Sequence, residues 1–167
     1  VAEIINCVIR GNEANRTDGG AGVQFRTGPC RMVGCLVVSN VITRVHTNST
    51  GAGIKIQSDA VICENNTVVG NKTTIGFGGG IYIEAAGQVR NTIIYGNTSR
   101  VGLNQDWATT GVGTFTNCCT ADITGMNGVG NIAADPEFVD AAAGNYRLTA
   151  ASPCVNAGLN QDWMAAA

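Results

Sequence analysis

One seven-residue pattern that ends in asparagine occurs four times in this chain of 167 residues. The copies are "NCVIRGN", "GCLVVSN", "NNTVVGN" and "NTIIYGN", and they end at Asn12, Asn40, Asn71 and Asn97. These asparagines are separated by 28, 31 and 26 residues. A second pattern, "GAGVQF", "GAGIKI" and "GGGIYI", follows at nearly the same period and has its third glycines at Gly22, Gly53 and Gly80. Two patterns that share one loose period indicate a structural repeat.

Each repeat contains short β patterns and no helical periodicity. After each glycine pair, apolar and polar residues alternate, which predicts strands with Val23, Phe25, Ile54, Ile56, Ile81 and Ile83 facing inward. The polar residues that alternate with them are predicted to face water: Gln24, Arg26, Lys55, Gln57, Tyr82 and Glu84. Because a repeat of this size cannot bury its own apolar face, successive repeats must stack on one another. The sequence therefore predicts an all-β fold, a parallel β-helix (β-solenoid) of about five to six coils.

The recurring asparagine has a physical explanation in such a fold. Equivalent residues of adjacent coils lie about 4.8 Å apart, and amide side chains at that spacing can each donate to one neighbour and accept from the other. We therefore predict an internal asparagine ladder formed by Asn12, Asn40, Asn71 and Asn97. The same alignment predicts an inward row of Ile9, Val37, Val68 and Ile94, and a further row of Cys7, Cys35, Asn66 and Thr92. Cys7 and Cys35 could touch across adjacent coils, either as a disulfide or as stacked thiols.

The composition excludes several classes of partner and cofactor. The net charge is −2 without a basic block, so a phosphate-binding surface for nucleic acid is not expected. No apolar run is long enough for a transmembrane segment. Seven cysteines without a CxxC-type spacing, together with the single histidine His46, predict neither a zinc site nor any other metal or cofactor. The cysteines suit a secreted protein with one or two disulfides or an interior that stacks small thiols.

The chain is predicted to be a single β-helix domain over residues 1–167, with regular coils at 1–100 and irregular C-terminal coils or a cap at 101–167. "TFTNCCT" predicts another strand and corner, while "GNYRLT" and "SPCVNAG" predict two short strands. The phrase "GLNQDW" occurs twice and contains both tryptophans, Trp107 and Trp163. These tryptophans could form a carbohydrate-stacking platform, but packing beneath a loop or over an open end of the solenoid is favoured.

Several phrases resemble a known group of bacterial proteins. "VRNTIIYGN", "TNCCT", "ADPEFVD", "GNYRL" and "SPCVNAG" are similar to secreted right-handed parallel β-helix proteins of the pectate-lyase-like superfamily. More narrowly, they resemble large surface proteins that end in a choice-of-anchor Q region. The resemblance covers nearly the whole chain and implies a right-handed β-helix on the cell surface, as a fragment of a longer protein. It also implies that polysaccharide lyases and hydrolases are among the relatives.

Catalysis of those kinds requires clustered carboxylates, with a nearby base for a lyase. Among the six outward residues only Glu84 is acidic, which argues against catalysis. We therefore expect a non-catalytic extracellular structural or adhesive β-solenoid that binds surface glycans through this strip or stacks end to end with copies of itself into filaments. The alternatives are a carbohydrate-active enzyme, lyase or hydrolase, and a passive glycan-binding module.

Overall fold

A computed structural model describes residues 1–15, 18–46, 48–99, 105–162 and 164 of this chain. In this part of the chain the backbone winds into an all-β parallel solenoid, as the repeats predict. Three turns contribute four strands each, a fourth contributes three, a fifth contributes two and a sixth contributes one. A separate hairpin follows near the C-terminus.

The strands are short because each turn must bend at several corners. The first turn contains β1 (Ala2–Ile5), β2 (Val8–Arg10), β3 (Glu13–Ala14) and β4 (Val23–Phe25). The second contains β5 (Cys30–Val33), β6 (Leu36–Val38), β7 (Val41–Ile42) and β8 (Ile54–Ile56). The third contains β9 (Val61–Glu64), β10 (Thr67–Val69), β11 (Lys72–Thr73) and β12 (Ile81–Ile83).

The later turns are less regular. The fourth contains β13 (Gln88–Arg90), β14 (Ile93–Tyr95) and β15 (Trp107–Thr109), and the fifth contains β16 (Thr114–Thr116) and β17 (Cys119–Thr120). These last two strands confirm the strand and corner predicted from "TFTNCCT". After them come β18 (Ile132–Ala133), β19 (Phe138–Asp140) and β20 (Asn145–Leu148).

Corresponding strands of successive turns form four parallel sheets. The first sheet is β1-β5-β9-β13-β16, the second is β2-β6-β10-β14-β17-β18, the third is β3-β7-β11 and the fourth is β4-β8-β12-β15. The register places like residues on like, so that Ile54 pairs with Val23 on one side and Ile81 on the other. The predicted inward rows fill the core: Phe25, Ile54, Ile56, Ile81, Ile83, Val37, Val68 and Ile94 are buried.

Two corners of each turn depend on residues with positive φ. The first corner, which precedes the second sheet, has Asn6, Gly34, Asn65, Asn91 and Asn117 in this conformation. The second corner, which follows that sheet, has Gly11, Ser39, Gly70 and Gly96. Glycine has no steric penalty in the left-handed region and asparagine tolerates it better than most residues. The repeated Asn and Gly letters are therefore the signature of a chain that turns sharply at fixed intervals.

The predicted asparagine ladder lies directly after the second corner. Each amide nitrogen Nδ2 donates to the Oδ1 of the next turn at 2.9 Å, from Asn12 to Asn40, from Asn40 to Asn71 and from Asn71 to Asn97. Each Oδ1 also accepts the backbone N–H of the preceding asparagine, at 3.0 to 3.1 Å. The second Nδ2 hydrogen of Asn71 donates to the carbonyl of Val37 at 3.0 Å. Both ends of the buried amide are therefore hydrogen-bonded, as a buried polar group requires.

The third glycines of the second pattern make room for this ladder. A Cβ atom at Gly53 would lie 2.6 Å from the Gly80 carbonyl oxygen and 3.0 Å from the side-chain amide nitrogen of Asn71, which is too close for any other residue. Gly22 and Gly80 have the same surroundings one turn away. The two sequence patterns share a period because they build the two sides of one contact.

Asp106 ends the ladder. It precedes β15 as Gly80 precedes β12, so an aspartate occupies the glycine position of the fourth turn. Its Oδ1 accepts from the backbone N–H and the amide of Asn97 at 2.8 and 2.9 Å, and its Oδ2 accepts from the Thr120 hydroxyl at 3.3 Å. A last rung that only accepts hydrogen bonds suits a carboxylate better than an amide. Burial raises the pKa of Asp106, although these hydrogen bonds oppose the shift.

A second row runs beside the first corner, where Cys7, Cys35, Asn66 and Thr92 were predicted to stack. The backbone N–H of Cys7 donates to Cys35 Sγ at 3.4 Å, and that of Cys35 donates to Asn66 Oδ1 at 2.9 Å. The N–H of Asn66 donates to the Thr92 hydroxyl at 3.4 Å. Cys7 and Cys35 are free thiols in this structure, which corresponds to the stacked alternative.

The C-terminal residues 134–159, here called the strap, differ from the sequence prediction. "GNYRLT" forms β20, but it pairs antiparallel with β19 in a hairpin, and "SPCVNAG" forms turns rather than a strand. The strap lies against the outer face of the second sheet, where the Asn91 amide donates to the Leu159 carbonyl at 2.7 Å. Phe138 and Tyr146 from the hairpin stack edge to face with ring centroids 5.4 Å apart and line a cavity with Tyr95 of β14.

This cover explains the uninterrupted apolar runs "LVV", "TVV" and "IIY" in β6, β10 and β14. A strand that is buried on both faces loses its polar alternation. Val38 and Val69 point away from the solenoid core, yet each is only 6% exposed. The inward rows were predicted from the sequence. The outer cover was not, although the apolar residues at the outward positions of β6, β10 and β14 indicate it.

The packing interpretation of the tryptophan phrase is confirmed for Trp107. This residue is buried, its Nε1 donates to the Asp122 carbonyl at 2.8 Å, and its ring packs on Phe115 with centroids 5.2 Å apart. Trp163 lies outside the described residues.

Replacing the central rung tests how much the ladder contributes to stability. Asn71→Ala leaves the Asn40 amide, the Asn40 backbone N–H and the Val37 carbonyl without their partner. We expect the free energy of unfolding to fall by roughly 2–4 kcal/mol, measured by urea denaturation. The exposed Asn48→Ala is the matched control and should change it by less than about 0.5 kcal/mol. Equal effects of the two substitutions would contradict a stabilising ladder.

The acidic end of the ladder predicts a pH dependence. Because the folded state raises the pKa of Asp106, it binds the proton more tightly than the unfolded state does. The resulting stability is complete below the unfolded pKa of about 4 and is lost as the pH rises through the folded value. Relative to Asp106→Asn, which does not titrate, the wild-type protein should therefore lose stability as the pH rises from about 4. A difference between the two proteins that is independent of pH would refute this.

Candidate functional site

The six predicted glycan-facing residues do lie on one surface, the outer face of the fourth sheet. The strand register pairs Gln24 with Lys55 and Lys55 with Tyr82, and these three residues form the first row. The second row, which lies just after the ends of the same strands, consists of Arg26, Gln57 and Glu84. We call this set the polar strip; its members are Gln24, Arg26, Lys55, Gln57, Tyr82 and Glu84.

A chain of hydrogen bonds joins the strip across three turns. Gln24 Nε2 donates to Gln57 Oε1 at 2.7 Å, and Gln57 Nε2 donates to Glu84 Oε2 at 2.7 Å. The other carboxylate oxygen of Glu84 lies 2.7 Å from the Lys55 ammonium. Glu84 therefore has one oxygen on a cation and one on an amide, and both contacts hold its carboxylate in place.

Two strip residues are not exposed, contrary to the sequence prediction. Lys55 is 2% exposed and Tyr82 is 8% exposed. Lys55 Nζ donates to the Asp18 carbonyl at 2.6 Å, and a Cβ atom at Gly19 would lie 3.0 Å from the Lys55 Cδ. Residues of the β3–β4 connection thus contact the lysine. Alternation shows by which face a side chain leaves a strand, but not whether a connecting segment later covers that face.

In the buried part of the strip, the positive charge of Lys55 is compensated by its neighbours Glu84 and Tyr82. The Lys55 ammonium lies 5.8 Å from the centroid of the Tyr82 ring, at the outer limit of a cation–π contact. Burial raises the pKa of Tyr82, and the charge of Glu84 raises it further, while a hydrogen bond with Thr110 lowers it. The phenol is consequently neutral at physiological pH. The ion pair of Lys55 with Glu84 compensates for the burial of the lysine charge.

The accessible part of the strip is its second row together with Gln24 of the first row. Arg26 and Glu84 are exposed, and Gln24 and Gln57 are half-buried. Arg26 forms an ion pair with Asp18 at 2.7 Å, in which both side chains are more than half exposed, so that it contributes little to stability. Asp18 was not predicted to belong to the strip, because its position in a turn outside the alternating strands gives no signal that it reaches this face.

Other kinds of site have less support in the described residues. In that part of the chain, no group of three or more His, Cys, Asp or Glu side chains is arranged to hold a metal ion. Nor do the described residues include a helix with the length and apolar character needed to cross a membrane. His46 is exposed in a turn, where its Nδ1 accepts the backbone N–H of Asn48 at 3.2 Å.

No protein-family model matches the chain, and searches of the curated proteins and of the solved structures found no match either. The parallel solenoid itself is consistent with the β-helix resemblance. The pectate-lyase-like superfamily and the choice-of-anchor Q group stay predictions from the sequence phrases.

The ion pair of the buried Lys55 with Glu84 can be tested with a charge-removing substitution. Glu84→Gln keeps the shape and the hydrogen bond with Gln57 but leaves the Lys55 ammonium buried without a carboxylate. We expect a loss of roughly 1–3 kcal/mol in the free energy of unfolding, because an unpaired buried charge is costly. Adding Lys55→Met should restore much of that loss, since the methionine fills the space without charge. Additive destabilisation in the double variant would show that the pair is not coupled.

Proposed function

We propose that this chain is a non-catalytic extracellular structural module, a stiff β-solenoid that adheres to surface glycans through the exposed row of its polar strip. The observation that carries the proposal is the hydrogen-bonded row from Gln24 through Gln57 to Glu84. Because these groups already hold one another in place, little side-chain freedom is lost when a ligand binds. Guanidinium, amide and carboxylate groups at strand spacing match the hydroxyl and carboxylate groups of a polysaccharide.

The same geometry favours binding over catalysis. A general acid or base must exchange a proton with the substrate, and glycoside hydrolysis uses two carboxyl groups. Glu84 is the one acidic member of the strip, and its two oxygens already face the Lys55 ammonium and the Gln57 amide. An enzyme remains the rival function. It would be established if acidic polysaccharides were cleaved to unsaturated or reducing products and if Glu84→Ala abolished that cleavage.

Glycan binding is tested most directly at Arg26, because the buried Tyr82 cannot reach a ligand without rearrangement. On an array of acidic and neutral glycans, Arg26→Ala should weaken binding of retained ligands by roughly tenfold, the effect of one charge-assisted hydrogen bond. Gln57→Ala should weaken the same ligands. Arg10→Ala is the matched control, since Arg10 is exposed on β2 of a different sheet. Equal loss in the control, or none at Arg26, would remove the strip as the binding surface.

End-to-end association of copies is the second part of this proposal. In the described residues β1, β2, β3 and β4 each pair with the following turn on one side only. Their other edges offer backbone donors and acceptors beside the exposed Ile5 and Val8, an arrangement that another strand can extend. Sedimentation velocity over a concentration series should then show growing species. A single monomeric species at all concentrations would eliminate self-association without affecting the glycan proposal.

A further inference from the structure

Two cysteines meet where the strap contacts the solenoid. Cys119 lies on β17 in the second sheet, and Cys154 lies in the turns of the strap. Both line a cavity of about 270 Å³ between the sheet and the strap. The two side chains interact with each other across this cavity, and the Cys119 thiol donates a hydrogen bond to the Ala134 carbonyl at 3.3 Å, where the strap begins.

We propose that Cys119 and Cys154 form a reversible disulfide that fastens the strap to the outer face of the solenoid. The bond would join two parts of the fold that otherwise meet through side-chain contacts and a few hydrogen bonds, such as that between Asn91 and Leu159. It would close a long loop. A cross-link across a long loop removes more conformational entropy from the unfolded or detached strap than one across a short loop does.

The neighbouring residue Cys118 has a different role, although it is adjacent in sequence. Successive residues of a strand point to opposite faces. Cys118 is buried in the hydrophobic core, and its Sγ lies 3.6 Å from the Val89 carbonyl oxygen. Burial raises the pKa of Cys118 to about 12, so this thiol is unreactive. The pair "CC" in the sequence therefore combines one core residue with one that faces the strap.

The two thiols differ in their access to solvent, because Cys119 is 3% exposed and Cys154 is half-buried. Their contact raises the pKa of Cys119 and lowers the pKa of Cys154. Cys154 is also partly accessible to solvent. A lowered pKa together with access to solvent is the environment in which a thiolate reacts. Cys154 is thus the first nucleophile and Cys119 the resolving thiol.

The reaction needs an oxidant, and a low-molecular-weight disulfide such as oxidised glutathione supplies it. The Cys154 thiolate attacks one sulfur of that disulfide, forms a mixed disulfide and releases the other half as a thiolate. Cys119 then attacks the Cys154 sulfur, expels the second small thiol and gives up its proton to it. Two protein thiols and one small disulfide become one protein disulfide and two small thiols, so that electrons and protons balance.

The other thiol contact in the structure is less suited to this chemistry. Cys7 and Cys35 belong to the row beside the first corner, in turns that are already joined by parallel strand pairing. Cys35 is buried, and burial raises its pKa. Cys63 is deeper still, and burial raises its pKa strongly.

The test uses the full chain, equilibrated with oxidised and reduced glutathione, after which free thiols are alkylated and the protein is digested with trypsin. Cleavage after Arg100 and Arg147 separates Cys119 in peptide 101–147 from Cys154 in peptide 148–167. We expect these two peptides to be linked in the wild-type protein and separated by a thiol reductant. Cys118→Ala should keep the link, and Cys119→Ser should lose it, with circular dichroism confirming that both variants are folded.

A functional readout accompanies the mapping. Arg147 is exposed in β20, and cleavage there requires the hairpin to open locally. Oxidation should slow this cleavage by roughly fivefold in the wild-type protein and in Cys118→Ala, but not in Cys119→Ser. A link that persists in folded Cys119→Ser, or no link in the folded wild-type protein under oxidising conditions, would overturn the proposal. Neither result bears on glycan binding by the polar strip.

Discussion

The column of amide hydrogen bonds at the second corner holds the rest of this solenoid in register. Asn40 and Asn71 each donate to the next turn and accept from the previous one, so a slip of one residue would break several buried hydrogen bonds at once. The absence of a Cβ at Gly22, Gly53 and Gly80 lets the neighbouring backbone approach the column closely. Once this corner is fixed, the inward isoleucines and valines of adjacent turns stack without further adjustment.

The column of asparagines ends at Asp106, which terminates the repeated hydrogen-bond pattern. Asn97 donates to Asp106, whose carboxylate accepts hydrogen bonds on both oxygens and passes none onward. From this point the turns lose their regular length, and Trp107 and Phe115 fill the core where smaller residues served before. A polar column inside an apolar core is stable only if both of its ends are satisfied, because a buried polar group without a partner is costly.

The outer faces of the fourth and second sheets are built by opposite means. The polar strip is a hydrogen-bonded row, in which Lys55 is buried by a preceding connection and held by Glu84. The second sheet instead has an apolar outer face, which the strap covers with its hairpin and turns. The first arrangement holds polar groups at fixed positions on an accessible surface. The second closes a hydrophobic surface and brings Cys154 against Cys119.

The sequence alone determined the parallel solenoid, the asparagine ladder and the inward rows, because these depend on a period and on alternation, which are local and repeated. It also brought the six strip residues to one face. Only the tertiary structure decided that Lys55 and Tyr82 are covered, that Asp106 ends the ladder and that the strap folds back over the second sheet. Each of these depends on a contact made once, between segments whose separation follows no period, and a contact made once leaves no repeated pattern in the sequence.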